Sequence, residues 1–125
     1  MTPATFRPHE RINNPADFRR AFERKRSASD GKMVVHGAEN GLGYARLGIS
    51  VGRKRIRSAA ARNQVKRALR EAFRLNKAEL PLGVDLVVVP RGPGLTAVEA
   101  QRTLPGLAQA VARRLGLSPA RASSS

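Results

Sequence analysis

The run Arg62-Asn63-Gln64-Val65-Lys66-Arg67-Ala68-Leu69-Arg70-Glu71-Ala72-Phe73-Arg74 constrains this chain more than any other stretch. At about 100° per residue, Arg62, Asn63, Lys66, Arg67, Arg70, Arg74 and Lys77 fall within an arc of roughly 140°. Ala61, Val65, Ala68, Leu69 and Ala72 gather on the other side, within about 100°. The pattern predicts a helix over about 58–76 with one face for a core and one for a partner. Phe73, at the border of the apolar face, is assigned to the core. A helix that merely solvates itself interleaves Glu with Lys or Arg for i,i+4 pairing. Between Arg46 and Lys77, Glu71 is the sole acid against eleven basic residues. The cationic face therefore calls for a polyanion, and by itself does not separate DNA from RNA.

Composition narrows the class. A chain of 125 residues makes one domain with one modest core. A net charge of +15 and a pI near 11.9 make nucleic acid the leading partner. No apolar run approaches the length of about 18 residues that a membrane helix needs. Met1 to Glu10 lacks a signal-peptide core, so the expected location is the cytoplasm. Cysteine is absent and His9 and His36 are the only histidines, which removes disulfides and thiolate metal sites. Asp17, Asp30 and Asp85 show no carboxylate pairing of the kind a metal-dependent nuclease needs.

Along the chain, residues 1–10 read as a flexible arm, 11–116 as the domain and 117–125 as a disordered low-complexity tail. Asn13 or Asn14 can cap a first helix over about 15–25, with Pro15 at its first position. Ser27 to Gly31 is taken as a break. Met33-Val34-Val35-His36 is expected to be a strand, joined through the turn residues Asn40-Gly41-Leu42-Gly43 to a hairpin partner at Tyr44–Val51. Leu86-Val87-Val88-Val89, apolar throughout, predicts a central strand. Thr96 can cap a last helix reaching about Leu115. The predicted fold is α+β, an α-β-β-α-β-α two-layer sandwich in which strand 44–51, the basic helix and strand 84–89 make a β-α-β unit.

The segment Arg46-Leu47-Gly48-Ile49-Ser50-Val51, then Lys54, then Arg62-Asn63-Gln64-Val65-Lys66-Arg67-Ala68-Leu69-Arg70-Glu71 resembles the bacterial ribonuclease P protein subunit family. The family pattern is a strand of the kind R-x-G-(I/L)-(S/T)-V, a Lys-bearing loop, and R-N-x-(I/V)-K-R-x-x-R-(E/Q). The resemblance extends over about residues 10–115 and includes the Phe18 and Phe22 pair. Two departures stand out. Gln64 occupies a position where a further Arg is common, and only His36 stands where some members carry another aromatic.

The resemblance implies a ribosomal-protein-like domain with a left-handed β-α-β crossover, against the right-handed rule. It implies a protein subunit without catalytic side chains, assisting a catalytic RNA that uses Mg²⁺ to remove the 5′ leader of precursor tRNA. Carried over by position, Arg62, Asn63, Lys66, Arg67 and Arg70 would face the catalytic RNA, joined on the same basic surface by Arg53, Lys54, Arg55 and Arg74. Phe18, Phe22, Arg11 and His36 would line the cleft for the single-stranded leader. Stacking on rings beside a basic groove suits single-stranded RNA. As helix residues at i,i+4 alone, the two Phe serve equally as core anchors. The expected partners are the catalytic RNA and precursor tRNA, with the protein itself monomeric and holding no metal. The alternative is a structural RNA-binding protein of ribosomal type with no role in cleavage.

Overall fold

The computed structural model describes residues 6–117. Its elements are α1 (Pro15–Glu23), β1 (Arg26–Ser29), β2 (Met33–Glu39), β3 (Arg46–Ile49), α2 (Ala59–Leu75), β4 (Val84–Pro90) and α3 (Ala97–Arg114). Short 3₁₀ turns cover Pro8–Glu10 and Lys77–Glu79. The helix starts follow local chemistry. Asn14 Oδ1 accepts from the Ala16 amide, Ser58 Oγ from Ala61, and Thr96 with Glu99 closes a capping box.

The sheet order is β1-β2-β4-β3, with β3 and β4 parallel and the other pairs antiparallel. β4 is central, as its apolar run predicts, and α2 is the crossover between β3 and β4. Two expectations are corrected. Residues 26–29 form a strand where a break was predicted, because β2 supplies the pairing that their own weak β-propensity does not announce. Only Ala28 of that strand is buried, opposite Val35. The second correction concerns the hairpin. β2 and β3 do not pair, because β4, buried on both faces, lies between them. Asn40–Gly43 instead makes a wide connection. Asn40 Oδ1 accepts from the Leu42 amide, and its Nδ2 donates to Tyr44 O and to Asp85.

The strand period divides the sheet. Met33, Val35, Leu47, Val84, Leu86 and Val88 face the larger core, filled by Val65, Leu69, Ala72 and Phe73 of α2 and by Leu104, Ala108 and Val111 of α3. These α2 residues are the predicted apolar face, and Phe73 is buried within it. On the opposite face Ala38 and Val87 pack with Ile12, Ala21 and Phe18, so α1 lies there. The approach is close. A Cβ at Gly48 would sit 2.9 Å from the Phe18 ring and 3.1 Å from Ile12, so only glycine admits α1 this near to β3.

Residues 6–10 of the expected arm pack against the domain. The Phe6 ring meets Phe73 edge to face at 5.1 Å, and buried Glu10 pairs with Lys77 at 2.8 Å. Apolar contact with α2 and an ion pair to the following 3₁₀ turn hold Phe6 and Glu10, while residues 1–5 of that arm lie outside the described residues. At the other end Leu117 packs on the core, and 118–125 lie outside the described residues. Pro105 stands inside α3 and cannot donate to Gln101 O. Asn76 Nδ2 donates to that carbonyl at 3.2 Å, which satisfies the gap from a neighbouring element.

Candidate RNA-binding surfaces

The cationic arc of α2 points away from the core, but its members differ in what they already hold. Arg62 Nη1 donates to Ile56 O and Arg57 O at 2.9 Å each, fastening the basic loop to the first helical turn. Arg74 engages Glu71 at 2.9 and 2.6 Å, and those hydrogen bonds hold the Glu71 carboxyl below its ordinary range. Asn63 and Arg67 are exposed, and Lys66 and Arg70 half-buried. Burial, and then the charge of Arg11, lower the pKa of the Arg70 guanidinium. Arg53, Lys54 and Arg55 stand exposed on the preceding loop.

Arg46 and Arg20 are different. Arg46 donates twice to Asp85, which is buried, and Arg20 Nη2 reaches the same carboxylate at 3.0 Å. These two cations are committed to holding α1 on the sheet. The count of basic residues therefore overstates what is open to a polyanion.

The α1 face of the sheet carries the aromatic groups. Phe22 is 38% exposed and meets His36 edge to face at 4.8 Å between centroids. Phe18 is half-buried over Gly48. The sequence left both Phe open between core and cleft, and the structure divides them. Burial lowers the His36 pKa from its ordinary value. Arg11 stands apart from the Phe22–His36 pair. Its guanidinium lies 4.9 Å over the Phe6 ring, and it shares with Phe18, Asn13, Lys66 and Arg70 a crevice of about 110 Å³.

Two cations escaped the sequence reading. Lys32 and Arg91 line a hollow of about 220 Å³ beside Arg55, whose Nη1 approaches Arg91 O at 3.5 Å. The only signal for them was the Pro90-Arg91-Gly92 turn, which carries no charge pattern of its own. Among the described residues no group of three or more His, Cys, Asp or Glu could hold a metal ion. Among them, too, no helix is long and apolar enough to cross a membrane.

A cationic helix on one side of a sheet and an exposed ring on the other is the arrangement that the motif implies. The family model for Ribonuclease P matches residues 6–115. The ribonuclease P protein component of Methylococcus capsulatus is 40% identical over 90 residues, covering 72% of this chain and 70% of that protein. That of Thermotoga maritima is 44% identical over 87 residues, covering 70% and 74%. The solved RNase P protein of Staphylococcus aureus superposes with a TM-score of 0.68 at 35% identity, over 78% of this chain and 91% of that one. The Thermotoga maritima structure gives 0.61 at 44% identity, over 66% and 74%. On motif, fold and these matches together, the chain belongs to the ribonuclease P protein component family.

Proposed function

We propose that this chain docks on the catalytic RNA of ribonuclease P through α2, and holds the single-stranded 5′ leader of precursor tRNA on the α1 face of its sheet. Family membership makes it part of a tRNA-processing ribonucleoprotein with an RNA partner. The finer assignment rests on one observation. The exposed or half-buried cations Lys66, Arg67 and Arg70 and the exposed Phe22–His36 pair lie on different sides of one sheet, so one protein can touch two RNA elements at once.

The chain's own contribution is positioning. Arg67 and Lys66 neutralise phosphates of the catalytic RNA, which fixes register without reading sequence. Phe22 offers a face on which one leader base stacks, with His36 beside it. In this reading cleavage belongs to the RNA with its Mg²⁺, and the protein contributes no catalytic side chain. The protein acts as a cytoplasmic monomer.

Multiple-turnover cleavage of precursor tRNA by a bacterial ribonuclease P RNA at low Mg²⁺, with and without this protein, tests the reading. Rescue of leader removal by the protein, itself inactive alone, is expected. Tight RNA binding without rescue would instead leave a structural RNA-binding protein of ribosomal type.

A further inference from the structure

A cavity of about 760 Å³ lies between α2 and the start of α3. That is within the range of roughly 300–1,000 Å³ typical of small-molecule pockets. Docking a cationic helix along a phosphate backbone needs no such hollow. Phe6, Ala68, Leu95 and Ala97 give it apolar walls, and Arg11, Arg67, Arg70 and Arg74 surround them.

The charges at this rim are unequally answered. Arg74 is engaged by Glu71, whereas Arg67 and Arg70 have no ion pair or hydrogen bond among the described residues. Arg70 is half-buried and near enough to Arg11 to feel its charge, while Arg11 itself lies over the Phe6 ring. Two guanidinium groups held close, one of them partly desolvated, are stabilised by an anion between them. Apolar walls beside two guanidinium groups able to share an anion match the two halves of a nucleotide.

We propose that this groove receives one unstacked nucleotide of the catalytic RNA, its base against Phe6, Ala68 and Ala97 and its phosphate between Arg11 and Arg70. The proposal rests on the docking of α2 argued above, and that docking selects the source, since α2 itself forms the wall. A base inside a duplex cannot enter, so the nucleotide comes from a loop, bulge or junction. Gln64, lining the same wall, carries an amide able to donate and accept at the base edge.

Ala97→Trp fills the groove and leaves every cation in place. Affinity for the catalytic RNA, measured by filter binding over a salt series, should fall about tenfold, as loss of one stacked base predicts, with the salt slope unchanged. Probing of base faces on the same RNA should show one unpaired nucleotide shielded by the wild-type protein and reactive with Ala97→Trp. Arg11→Ala should weaken binding and flatten the salt slope by about one ion. Ala97→Leu, a smaller helix-compatible filler, should give an intermediate loss, and circular dichroism melting of both variants separates filling from misfolding. If Ala97→Trp binds as wild type, or no base depends on Ala97 for its shielding, the groove proposal is overturned while docking through α2 stands. If the wild-type protein does not bind the RNA, both readings fall.

Discussion

Arg46 grips Asp85 through two hydrogen bonds, of 2.7 and 2.6 Å, at a carboxylate with no exposure to solvent. Arg20 Nη2 and Asn40 Nδ2 add one each at 3.0 Å, and Asp17 bridges the two arginines at 2.9 and 3.4 Å. The network spans α1, β3 and β4, so it sets where the aromatic helix sits on the sheet. Arg46, counted in sequence among the basic residues of this segment, is here an internal counter-ion.

Asp85→Ala should therefore cost about 1–3 kcal/mol, because Arg46 and Arg20 lose their buried acid and keep only Asp17, and Asn40 Nδ2 loses an acceptor. Urea unfolding measures it. Arg67→Ala gives the contrast. This exposed residue should leave the urea midpoint within about 0.5 kcal/mol of wild type while reducing affinity for the catalytic RNA. A large stability loss in Arg67→Ala would contradict the division between held and open cations.

Phe18 and Phe22 should behave differently on truncation. Phe22→Ala removes an exposed ring and should lose up to about 3 kcal/mol of affinity for precursor tRNA carrying a leader, with mature tRNA unaffected. Phe18→Ala opens a cavity above Gly48 and should appear mainly as reduced stability, of about 2–3 kcal/mol. Equal affinity losses on both RNAs for Phe22→Ala would point to packing rather than stacking.

Acid should weaken the fold through His36. Burial lowers its pKa below the ordinary 6.5, so the unfolded chain binds more protons in that region. The stability contribution is complete above about pH 7.5 and is lost as pH falls through about 6.5 and below. Chemical denaturation of His36→Gln should show a shallower decline between about pH 7.5 and pH 5.5 than wild type. Parallel curves for the two proteins would remove His36 as the cause.

Asn76 and Pro105 should be coupled. Asn76→Ala leaves the Gln101 carbonyl without a donor and should cost about 1 kcal/mol or somewhat more. In a Pro105→Ala background the new amide takes that carbonyl, and the cost of Asn76→Ala should shrink. A double-mutant cycle by urea unfolding reads the coupling directly, and strict additivity would exclude the compensation.

Sequence alone determined the helices and the chemistry of their faces. The period of 3.6 separated Val65, Leu69 and Ala72 from Lys66, Arg67 and Arg70, and cap candidates at Asn13 or Asn14 and at Thr96 marked the starts of the first and last helices. The run Leu86–Val89 announced a central strand, since burial on both faces needs apolar residues at every position. These signals are local, carried by residues within a few positions of one another. The tertiary structure decided what depends on distant partners. Arg26–Ser29 is a strand only because β2 lies beside it, and β2 meets β4 instead of β3 because the most apolar strand takes the centre. Which cations remain open was also decided there, since Arg46 finds Asp85 39 positions away and Arg20 finds it 65 away. Periodicity shows which face a side chain is on, but a charge is spent or left free by neighbours that only the fold brings near.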